Sequence, residues 1–283
     1  MHAYLELTKP RISLLFAITG GAALLLEGTL TVLNLNWWWL CFALFCVGGS
    51  ANGFNQYLER DLDAQMERTS KKRPLPLKKI SPKAALVFCW GLGVLGCGLL
   101  LMVGNSWALV LGIFTIFFYS VIYTLYLKPR TPYNIVIGGI AGAMAPLIAW
   151  IAISETLSWE AWLLFFIIFM WTPPHFWALA LHYQKDYEKI SLPMLNVVKG
   201  IAVTKKQIFL YSLTLLPLTL LLLISPLLGW IFGMTALVGG VLFIFFSYRL
   251  YGSQDVLGSY PLFGYSILYL LLLFSALMID ASF

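Results

Sequence analysis

The chain has 283 residues, of which 60% are hydrophobic and only 11% charged. Soluble domains average about 25% charged residues, so the composition excludes a soluble globular domain and points to an all-α polytopic membrane protein. The net charge of +6 reads as a topology signal and not as a nucleic-acid footprint, because lysines and arginines collect on one side of a bilayer; no nucleic-acid partner is expected.

A spanning helix needs about 20 mostly apolar residues. In chain order, nine stretches qualify: 12–32, 37–57, 84–104, 106–127, 133–153, 160–181, 207–225, 227–248 and 261–280. The polar stretch from Met1 to Arg11 leads into a full-length apolar segment, unlike a cleavable signal peptide. The connectors Leu33 to Asn36, Gly104 to Ser106 and Ser225 to Leu227 are short hairpins on one side. With the N-terminus in the cytoplasm and nine alternating spans, all 18 lysines and arginines fall on the cytoplasmic side. They are Lys9 and Arg11, the run from Arg60 through Lys83, Lys128 and Arg130, the run from Lys185 through Lys206, and Arg249. The outer connectors hold only acids such as Glu155 and Glu160, and the C-terminus lies outside.

Trp37-Trp38-Trp39 opens the second span, where indoles anchor helices at the outer interface. Cys41, Cys46, Cys89 and Cys97 form no Cys-x-x-Cys pair and read as small hydrophobes within helices. One membrane-embedded domain over 1–283 is expected. Its two long polar connectors, about 58–83 and 182–206, follow the second and sixth spans.

The first connector carries dense charge against an apolar span, which is costly unless solvated, paired or metal-bound. Asn55, Glu59 and Asp63 are spaced i, i+4, i+8 and share one face of a helix continuing from the second span, while Asp61 points elsewhere. Three oxygen-bearing side chains at the membrane edge suit Mg²⁺, which completes its shell with water and substrate phosphates. Arg68, Lys71, Lys72 and Arg73 follow, able to neutralise a diphosphate as forks or point charges. The chemistry implied is departure of a diphosphate, with metal and cations stabilising charge on the leaving oxygen.

The sixth span ends in Trp171-Thr172-Pro173-Pro174-His175-Phe176-Trp177, followed by His182, Lys185 and Asp186. His175, His182 and Asp186 are spaced i, i+7, i+11, again on one helical face. The Pro-Pro pair removes two backbone donors and is expected to break or kink the helix. Asp186 offers a second carboxylate for metal, Lys185 another phosphate contact, and His175 or His182 an imidazole for substrate, including a haem iron.

With both blocks in view, the chain resembles the UbiA family of intramembrane prenyltransferases, and within it the branch that farnesylates haem. The residues that carry the likeness are Asn55-x-x-x-Glu59-Arg60-Asp61-Leu62-Asp63-x-x-Met66-x-Arg68-Thr69, Arg73-Pro74-Leu75, Pro174-His175-Phe176-Trp177-Ala178, Lys185-Asp186-Tyr187 and Pro193-Met194-Leu195. The resemblance implies nine helices around a central cavity capped by both polar loops. It implies Mg²⁺-dependent loss of diphosphate from farnesyl diphosphate, capture of the allylic cation by a vinyl group of haem B, and water addition to give haem O. By the same likeness Asn55, Glu59, Asp63 and Asp186 hold metal; Asp63, Asn55 and Asp186 are catalytic. Arg68, Lys72, Arg73 and Lys185 meet the diphosphate, and His175 and His182 meet haem. A bacterial inner-membrane location follows, with a downstream haem A synthase or terminal oxidase assembly as partner. The superfamily usually has Asp where Glu59 stands.

Two other readings remain at this stage. A UbiA-type aromatic prenyltransferase of quinone or chlorophyll synthesis would ignore haem. A small transporter would need charge within its spans, and these are nearly uncharged.

Overall fold

Within lipid, every backbone N–H and C=O must be paired inside its own segment, so long apolar runs become helices. The computed structural model describes residues 2–282, and every regular element among them is helical. The long helices are α1 (Pro10–Glu27), α2 (Leu35–Leu58), α3 (Pro82–Gly104), α4 (Ser106–Leu127), α5 (Asn134–Ile153), α6 (Trp159–His182), α7 (Ile201–Ile224), α8 (Trp230–Gly252) and α9 (Ser259–Asp280). Eight are long and apolar enough to cross a membrane. The ninth, α2, has 24 residues but is less oily. Its tryptophans at one end and Asn52, Asn55 and Gln56 at the other lower its hydropathy. The helix that fails a purely apolar criterion is the one that carries polar groups into the bundle.

Local chemistry shifts two boundaries from their expected places. The first span stops at Glu27 rather than 32, because Gly28 adopts φ +90° and its N–H caps Leu25 O at 3.1 Å. The seventh begins at Ile201 rather than 207, directly after Gly200 at φ +85°.

The helices close a ring. Each packs on its successor, α9 returns to α1, and α1–α5 and α6–α9 contacts tie the two sides together. α5, α6 and α1 are the most enclosed, whereas α3, α4, α7 and α8 turn most of their surface outward. Close approach depends on small residues. A Cβ built on Gly96 of α3 would lie 2.9 Å from Cys46 Cβ and from Val47 N on α2. Gly96→Val is therefore expected to destabilise the bundle by about 1–3 kcal/mol, read as a lower unfolding temperature in detergent.

Two expectations are corrected here. The Pro173-Pro174 pair does not break α6, which runs on to His182 with both prolines inside it. Proline's fixed φ is itself helical, so the backbone continues through both residues, and side-chain bonds tie this stretch to its surroundings. The Thr172 hydroxyl donates to Ile168 O at 2.8 Å, and Trp171 Nε1 donates to Ser266 O of α9 at 2.8 Å. The tryptophan triplet also divides. Trp38 and Trp39 are exposed, but Trp37 is buried and its indole donates to Gly21 O of α1 at 3.0 Å. Trp37 thus packs helices together and does not anchor at an interface.

Candidate active site

At the end of the bundle that carries the lysines and arginines, α2 gives way to a short helix, Arg60–Asp63. The ladder of hydrogen bonds continues across the junction: Glu59 N–H donates to Asn55 O at 3.0 Å and Asp63 N–H to Glu59 O at 2.8 Å. The i, i+4, i+8 face therefore survives, and Asn55, Glu59 and Asp63 are all buried. Asp61 is exposed on the other side, 3.7 Å from Arg60.

Each of the three faces a base. Lys9 Nζ donates to Asn55 Oδ1 at 2.8 Å, and Lys128 Nζ to Glu59 Oε1 at 2.5 Å. Arg73 Nη1 pairs with Asp63 Oδ2 and lies 3.8 Å from Glu59 Oε2. The Asn55 amide is oriented from both ends, because its Nδ2 donates to Thr124 Oγ1 on α4 at 3.0 Å. Lys9 sits between two helices in the left-handed region at φ +49°, a conformation that non-glycine residues hold only when surroundings impose it. Lys128 follows a wide-turned π-helical end of α4, where its N–H donates to Tyr123 O at 2.9 Å. Both residues form Lys-Pro dipeptides at the end of a span. That shared pattern is the sequence signal by which these two site lysines stand out from bases that only mark topology.

The electrostatics follow from burial and proximity. Burial alone raises Glu59, but the Lys128 charge and hydrogen bond, with Arg73 and Lys9, hold its carboxyl below the usual range. Burial lifts Asp63 above its usual range; Arg73 pulls the other way and the Glu59 charge adds to the rise. Burial, then the Arg73 charge, pushes the Lys9 ammonium well below its ordinary value.

Removing one partner of such a pair leaves a charge stranded. Lys128→Met is therefore expected to destabilise the protein by about 3 kcal/mol. Glu59→Gln in the same chain should recover most of that loss, checked by thermal unfolding of the single and double variants.

The second polar connector closes onto the first. Asp186, on the short helix Gln184–Lys189, accepts the Arg68 N–H at 3.0 Å. Arg68 lies over the rings of Tyr183 and Tyr187, at 5.4 and 5.9 Å. Thr69 Oγ1 donates to Asp63 O at 2.7 Å. α6 ends at His182, so Asp186 belongs to a separate helix and not to the continuous face expected through position 186. A recess of about 280 Å³ opens here. Arg68, Thr69, Lys72 and Arg73 line one side, and Leu179, Tyr183, Tyr260 and Phe263 the other. Lys185 is exposed. His182 is exposed at the rim against Tyr260, while His175 is buried about two turns deeper.

Among the described residues no three His, Cys, Asp or Glu side chains converge on one point as a metal group would require. The carboxylates are divided between Glu59 with Asp63 and, beyond Arg68, Asp186. The donor set is nonetheless of the right chemistry for a hard divalent ion. Asn55 Oδ1 and the Glu59 and Asp63 oxygens already face cationic groups.

Comparison with known proteins decides the family. The model of the UbiA prenyltransferase family matches residues 13–278. The chain belongs to the UbiA prenyltransferase family. It is an integral, multi-pass membrane protein of that fold. It is 45% identical to the protoheme IX farnesyltransferase of Gloeobacter violaceus, over 100% of this chain and 93% of that protein. Its identity to the Legionella pneumophila protein of the same name is 41%, over 99% and 95%. Among solved structures it is similar to a digeranylgeranylglyceryl phosphate synthase (TM-score 0.78, 18% identity, covering 99% of this chain and 98% of the other). A UbiA homolog from Archaeoglobus fulgidus bound to DMAPP and Mg²⁺ also shares the fold (TM-score 0.67, 15% identity, covering 97% and 99%).

Proposed function

We propose that this protein transfers a farnesyl group from farnesyl diphosphate to a vinyl group of haem B, releasing diphosphate. Water then adds to the resulting cation and loses a proton, giving the hydroxyethylfarnesyl group of haem O. The observation that carries this reading is full-length identity of 40–45% to proteins named protoheme IX farnesyltransferase.

The site's residues divide the work. Arg68, Lys72 and Arg73 line the recess on one side and supply positive charge to a departing diphosphate. Lys185 extends that charge from the second connector. Leu179, Tyr260 and Phe263 supply apolar walls opposite, where a farnesyl tail is held and water kept from an allylic cation. Asn55, Glu59, Asp63 and Asp186 would hold Mg²⁺, which when bound supplies charge neutralisation at the leaving oxygen. Asp186 also clasps the two connectors by accepting the Arg68 amide. The basic end of the bundle faces the cytoplasm of a bacterial inner membrane, so the soluble head of the diphosphate arrives from water while its tail enters lipid.

Mass spectrometry of haems extracted from cells expressing the chain tests the reading. A haem O mass absent from cells without the gene is expected. Haem B alone in cells that hold the folded protein would overturn it.

A further inference from the structure

Of the two histidines on α6, only His175 is held in a fixed orientation and protonation state. Its ring is stacked on Trp171 at 4.3 Å and 18° and on Phe263 at 4.6 Å and 27°. Its Nδ1 lies 2.6 Å from Ser266 Oγ of α9. The Ser266 hydroxyl itself donates to Phe263 O at 2.6 Å. A serine has one hydroxyl proton. The assignment that satisfies both contacts gives that proton to Phe263 O, which makes Ser266 Oγ the acceptor and places the His175 proton on Nδ1. The lone pair is then on Nε2, which has no hydrogen-bond partner among the described residues. Ser266 is itself fixed, because its carbonyl accepts the Trp171 indole at 2.8 Å.

A neutral imidazole whose Nδ1–H is tied to an oxygen, with Nε2 left as the donor atom, is the arrangement by which proteins prepare a histidine for a metal. The location suits a substrate metal. Phe263, stacked on His175, lines the recess, and Leu179, one turn along α6, lines it too. His182 lacks all of this: it is exposed and has only ring contacts with Tyr183 and Tyr260. Resting on the haem reading above, we propose that His175 Nε2 is the ligand that takes the iron of the haem substrate, and that Ser266 is the positioning residue that fixes its tautomer. The step is a coordinate bond from the Nε2 lone pair to iron, with no change of oxidation state. Its role is to orient the macrocycle and so select which vinyl edge meets the allylic cation.

Titration of purified full-length protein in nanodiscs with ferric haem B, followed by absorption and electron paramagnetic resonance, decides it. Wild type is expected to give an imidazole-ligated signature, which His175→Ala loses and added imidazole restores. Ser266→Ala is expected to weaken haem binding about 10-fold or more, the scale of lost support behind a metal-ligating histidine, and Ser266→Thr to recover it. The Ser266 pair decides the matter on its own if His175→Ala fails to fold. An unchanged signature in His175→Ala, its loss in His182→Ala instead, or wild-type affinity in Ser266→Ala overturns the proposal. Haem O production by a wild type whose haem shows no nitrogen ligation overturns the ligand assignment while leaving the farnesylation reading intact. Prenylation of a haem-free aromatic acceptor without any haem O overturns the reading itself.

Discussion

Asp63→Asn is expected to lower farnesyl transfer by about 10²–10³-fold, the scale on which one preorganised electrostatic group at a reacting centre contributes. The substitution keeps the shape of the side chain and removes its charge. Asp63 is buried, and its Oδ2 pairs with Arg73, which also reaches toward Glu59. Without that charge the site loses a hard oxygen donor for a divalent ion and the partner that aims Arg73 into the recess. Thr69 bonds the Asp63 backbone carbonyl and not its carboxylate, so the loop itself stays anchored. Arg73 keeps only Glu59, at 3.8 Å, so the expected signature is a lower unfolding temperature together with a loss of turnover in the folded protein far larger than that fall explains. Activity within a few-fold of wild type would remove the carboxylate from the chemistry.

Asp186→Ala should cost about 10²-fold, because a loop displaced by as little as 1 Å can forfeit that much rate. The acid accepts the backbone N–H of Arg68, and Arg68 is held between Tyr183 and Tyr187. Deleting the acceptor frees the connector that carries Arg68, Lys72 and Arg73. Asp186→Asn keeps an oxygen for the same N–H and is expected to retain more activity than Asp186→Ala. Steady-state kinetics with varied farnesyl diphosphate separate the cases. Equal loss in both variants would mean that the charge, and not the clasp, is what matters.

Much of the architecture was legible because bilayer physics leaves few choices. Apolar runs of spanning length had to be helices, and the one-sided distribution of bases fixed which ends lie together. The i, i+4, i+8 spacing of Asn55, Glu59 and Asp63 was also legible, since the helical ladder continues to Asp63. Other features depend on contacts far apart in sequence. Nothing near Lys9 or Lys128 shows that they meet Asn55 and Glu59, 46 and 69 residues away, and the positive-inside rule counts both only as bases that mark topology. The Ser266 contact to His175 spans 91 residues and arises only because α9 packs along α6. The Pro-Pro pair misled in the opposite direction. Local chemistry forecast a break or a kink; the break is absent, because proline's fixed φ is helical and α6 is packed against α5, α7 and α9.

Reconstitution is the most direct test of the central claim. Purified protein in lipid, given haem B, farnesyl diphosphate and Mg²⁺, should yield haem O and diphosphate in equal amounts by mass spectrometry and phosphate assay. Diphosphate release without any farnesylated haem would contradict it.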